Sequence, residues 1–126
     1  MHTTKKESSQ RQIEVAIQLL RDQKLDCAIT LAAAGEGILP PTEDPHLFAA
    51  LQPHNAELEI NLVINWLKHS NENDPEEAQI TEFEAVIVIA RAITKFVAVY
   101  HQSSSPFQDF LRWSHEAGHI PRMHRS

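Results

Sequence analysis

His115, Glu116 and His119, in the segment SHEAGH, have the spacing by which one helix holds a zinc ion between two imidazoles a turn apart while a glutamate activates bound water. That chemistry also needs a third protein ligand and a helix that stays intact through the second histidine. Gly118 falls inside the motif, Pro121 lies just beyond it, and only residues 120–126 follow His119. His124 offers a third imidazole, but the resulting H-E-x-x-H-x-x-x-x-H lacks the usual glycine turn. In a chain with eight histidines the expectation is therefore adventitious zinc or nickel binding by this cluster, and no resident cofactor. A zinc hydrolase built on these three residues is the weaker alternative.

A second set lies in and just before INWLKHSNENDP, residues 64–75. Asn61, Asn65 and His69 fall at i, i+4 and i+8, so a helix lines them up on one stripe. Leu58, Leu62, Val63, Trp66 and Leu67 are expected to form the adjoining core face. Trp66 is in phase with Leu58 and Leu62, which assigns it to the core rather than to a platform for stacking bases. His69 is the candidate proton carrier of the set, because histidine is the side-chain type that can take or give a proton near neutral pH. Lys68 and His69 near a helix C-terminus also meet the negative end of its dipole, a purely structural use of the same residues.

These stripes need helices to hold them, and the chain reads as helices separated by short punctuated loops. The spacing predicts a helix over 9–22 with Ile13, Ala16, Ile17 and Leu20 on one face. A second begins at Asp26 as N-cap, carries a stripe of small residues at Ala28, Ala32 and Gly35, and stops before Pro40 and Pro41. A loop with one helical turn near residues 46–51 leads to a helix over 54–69. The longest helix, near residues 76–100, is apolar nearly all round in AVIVIARAI, as befits the spine of a bundle. Ser105 is expected to cap a last helix over 106–117 that docks through Phe107, Phe110, Leu111 and Trp113. The fold class is all-α, a bundle of four to six helices. Residues 1–8 read as a disordered tail, 9–103 as the bundle, and 104–126 as a terminal helix with a basic, histidine-rich tail.

A chain of 126 residues is long enough to bury one core without staples. The lone Cys27, among Ala and Ile, reads as a small buried hydrophobe and cannot form an internal bridge. With no export signal or membrane span in view, a cytoplasmic setting is expected. A formal charge of −6 disfavours long-range attraction to nucleic acid.

AITLAAAGEGIL, followed by INWLKHSNENDP and then a long apolar helix, resembles a group of small bacterial proteins related to the HEPN superfamily. In that group the two segments read like LAAAAEEIL and RNFFKHADRDP, and the resemblance covers roughly residues 11–101. It implies an all-α, HEPN-like bundle, often a homodimer, of a superfamily rich in metal-independent RNA-cleaving toxins and defence proteins with an R-N-x-x-x-H motif. Asn65 and His69 match that motif's Asn and His, while Ile64 stands at the Arg position. Isoleucine supplies neither the permanent charge nor the forked donors that a scissile phosphate requires. Arg91 of the following helix, or Lys68 beside His69, is the candidate to substitute for the absent arginine, and Glu36 matches an acidic position of the resembling group. Lys68 points about 100° around the helix from His69. Between two glycines near the end of an apolar helix, Glu36 is expected to face solvent; if buried it would need a partner, and Asn65 or His69 is the first candidate. The expected role is therefore binding of a protein, nucleotide or RNA at Asn61, Asn65 and His69, with a His69-dependent ribonuclease as the alternative.

Overall fold

Residues 1–41, 56–69 and 74–120 are described in a computed structural model of the chain. They form five helices and no strand: α1 (Lys5–Arg21), α2 (Leu25–Gly37), α3 (Ala56–Lys68), α4 (Glu82–Tyr100) and α5 (Ser105–Glu116). The turn expected near residues 46–51 lies outside the described residues. No helix is long and apolar enough to cross a membrane among the described residues.

Helices α1, α4 and α5 start where a side chain satisfies their first amides, and this moves three of the expected boundaries. Helix α1 begins at Lys5 rather than Ser9, because Thr4 caps it by accepting from the Glu7 amide at 3.0 Å. Residues 5–8, expected in a disordered tail, are therefore helical, and Lys6 lies 5.5 Å over the Tyr100 ring of α4. Helix α4 begins at Glu82 rather than near residue 76. Thr81 and Glu84 form a reciprocal capping box there, the Thr81 amide donating to Glu84 Oε1 at 2.9 Å and the Glu84 amide to Thr81 Oγ1 at 3.2 Å. Ser104, not Ser105, caps α5, accepting from the Phe107 amide at 3.3 Å. In α2 the N-cap position is Lys24, without a side-chain hydrogen bond. Asp26 sits instead in the first turn, accepts from the Cys27 amide at 2.8 Å and complements the helix dipole.

The core is built by α1, α2 and α4, with Ile13, Ile17, Ile29, Val86, Ile89 and Ile93 almost wholly withdrawn from solvent. Helix α4 is buried at every residue from Ala85 to Ala90 and again at Ala92, Ile93 and Phe96, which makes it the expected spine. Phe107 and Phe110 are the buried aromatic residues of α5, and Phe107 docks it on α4 by meeting Phe96 edge to face at 5.4 Å. The small-residue stripe of α2 draws α1 close. Ala28, Ala32 and Gly35 are buried, and a methyl group added at Gly35 would stand 2.9 Å from Ile13 Cγ1 and 3.2 Å from the Ser9 carbonyl oxygen. Buried Ser9 uses this proximity by donating its hydroxyl to the Gly35 carbonyl at 2.7 Å. Cys27, expected inside, is exposed on the opposite face of α2.

Candidate functional site

Helix α3 has an apolar residue at 60, 62, 63, 64, 66 and 67, and so offers two possible inner faces. The one that meets α2 and α4 runs through Ile60 and Ile64, with Val63 and Leu67 packed beside it, a spacing of i, i+3, i+4, i+7. This rotates the helix away from the expected face. Leu62, assigned to the core from sequence, is 61 % exposed, and Trp66 is half-buried with its indole N–H donating to the Pro75 carbonyl at 2.8 Å. Leu58 carries no side-chain description.

The rotation decides what each residue of the polar stripe can do. Asn61, Asn65, Lys68 and His69 are all exposed, so Asn61, Leu62, Asn65 and His69 share an outward face. Ile64, at the position where the resembling motif has arginine, is 7 % exposed and belongs to the core. The backbone amide of His69 donates to the Asn65 carbonyl at 2.9 Å, which ties His69 to the C-terminal turn of α3.

Glu36, at the end of α2, does not face solvent as expected, and it meets neither Asn65 nor His69. Its carboxylate accepts from Arg91 Nε of α4 at 2.7 Å, with the two side chains 18 % and 11 % exposed respectively. Arg91 Nη1 also donates to Asn61 Oδ1 at 3.3 Å, and Lys95, one turn along α4, donates to the Glu36 carbonyl oxygen at 3.5 Å. Helix α2 has no basic residue in its own last turn, so these two α4 side chains provide the positive charge that its C-terminus favours. The cluster thus joins α2, α3 and α4 at one point. Its charges are largely satisfied internally: one guanidinium against one carboxylate, with an amide on the outer edge.

Chemically this separates two groups that a phosphodiester-cleaving site must bring together. Arg91 reaches α3 at Asn61, and His69 lies eight residues further along, about 12 Å of helix rise away. General acid–base work by His69 would need a charge stabiliser within hydrogen-bonding reach of the same phosphate. Arg91 is held elsewhere, and Lys68 points to another side of α3.

At the other end of the molecule, the zinc spacing does not become zinc geometry. Helix α5 stops at Glu116, and Gly118 takes a left-handed conformation at φ +80°, so His115 and His119 do not occupy successive turns of one helix. His115 and Glu116 are exposed, whereas His119 folds back, its amide donating to the Ser114 carbonyl at 2.9 Å and its Nε2 lying 3.6 Å from Glu82 Oε2. Its ring is 5.5 Å from that of Trp113 and 6.4 Å from that of Phe83. Among the described residues no three His, Cys, Asp or Glu side chains are grouped to hold a metal ion. His124 lies outside them, as do Arg122 and Arg125.

Sequence reasoning missed Lys95, the exposure of Leu62 and the indole contact of Trp66. Two isolated charges in apolar helices, Glu36 in AAAGEGIL and Arg91 in VIVIARAI, were the available signal for the ion pair, since a charge in such a run requires an opposite one. No family model, curated protein or solved structure matches the chain.

Proposed function

We propose that this chain is a HEPN-like helical module that acts by binding rather than by catalysis, through the outward stripe of α3 formed by Asn61, Leu62, Asn65 and His69. The observation that carries this reading is the commitment of Arg91. Its guanidinium is paired with Glu36 at 2.7 Å and, among the described side chains, reaches α3 at Asn61, while the residue at the motif's arginine position, Ile64, is buried. A binding role accords equally with the surface of α3, where an exposed leucine is flanked by two carboxamides. The occupant is a protein, and a second copy of this chain is the first one to test. The net charge of −6 weighs against RNA as a long-range target.

A ribonuclease of toxin or defence type is the second reading. It draws on one observation, the open position of His69 on the same face as Asn65.

Incubation of the purified protein with mixed RNA in excess EDTA, beside a His69→Ala variant, separates the two. The expected result is intact RNA in both reactions, with metal restored as a control. EDTA-resistant cleavage that disappears in the variant would establish a metal-independent ribonuclease and overturn the binding reading.

A further inference from the structure

No further inference is drawn: the strongest candidate outside the α3 surface, the side-chain cluster of His119, Glu82, Phe83 and Trp113 that fastens the C-terminal turn to the first turn of α4, pairs a single imidazole with a single carboxylate and gains no third ligating group, cavity or reacting partner among the described residues.

Discussion

Ile64 stands where the resembling motif has its arginine. Its side chain is 7 % exposed in the seam that α3 presents to α2 and α4, so restoring an arginine there would place a guanidinium in apolar surroundings. Ile64→Arg is expected to destabilise the protein by more than about 3 kcal/mol, read by urea unfolding, without creating ribonuclease activity. A stable, RNA-cleaving Ile64→Arg protein would instead mean that α3 can turn this position outward. The Glu36–Arg91 pair makes a second prediction at this scale. Glu36→Gln or Arg91→Met alone leaves one partly buried charge unpaired and should cost about 2–3 kcal/mol, whereas the double variant should cost clearly less than the sum. Strict additivity in that double-mutant cycle would show that the contact is not coupled. His101, at the C-terminus of α4, adopts φ 54°, a conformation in which a Cβ is crowded. His101→Gly should therefore stabilise by about 0.5–1 kcal/mol, raising the unfolding midpoint at unchanged slope.

At the scale of elements, the close pairing of α1 with α2 depends on one missing side chain. Two glycines of α2, Gly35 and Gly37, lie two residues apart and should respond oppositely to the same change. A methyl group at Gly35 meets Ile13 Cγ1 at 2.9 Å and the Ser9 backbone oxygen at 3.2 Å, and neither is the free end of a flexible chain. Gly35→Ala should cost about 1–3 kcal/mol, and less than that in an Ile13→Ala background, which removes the Cγ1 that the new methyl meets. At Gly37 nothing lies within 4 Å of the added carbon, so Gly37→Ala should gain about 0.5 kcal/mol from helix propensity alone. Thermal melts of the two variants side by side check the pair; equal shifts would show that the α1–α2 approach is looser than these distances require. The same contact explains why α1 extends back to Lys5. Ser9 is buried and bonded to the Gly35 carbonyl, which fixes the first turns that the polar composition of residues 1–8 had concealed.

For the whole molecule, α1, α2 and α4 form the centre of the core, α3 and α5 add Ile60, Ile64, Phe107 and Phe110 to it, and α3 presents a face that no other described residue covers. Leu62 is 61 % exposed on that face. If a second copy docks there, light scattering should give twice the monomer mass, and Leu62→Asp should shift the population to monomer while leaving the unfolding slope of the monomer unchanged. A protein that is monomeric at all concentrations with Leu62 in place would remove the second copy as the occupant of this surface. Glu36 and Arg91 touch the exposed α3 stripe at Asn61 and lie apart from Leu62, so their substitution should alter stability far more than association.

The sequence by itself determined that the chain is helical, that residues near Ile13–Leu20 and Ala85–Phe96 supply core faces, and that α4 is the spine. These follow from periodicity and from an unbroken apolar run, both local properties. It also held the capping box at Thr81 and Glu84, a local signature overlooked in favour of the polar stretch before it. Only the tertiary structure decided which face of α3 turns inward, because apolar residues on both sides of that helix fit a core equally well until α2 and α4 choose between them. That choice buried Ile64, exposed Leu62 and spread Asn61, Asn65 and His69 on the surface. Tertiary packing likewise matched Glu36 with Arg91 across 55 residues, and a left-handed Gly118 turned His119 away from His115 toward Glu82. Spacing along the chain fixes which residues share a helix face only while the helix lasts, and it leaves open which face the remaining helices will cover.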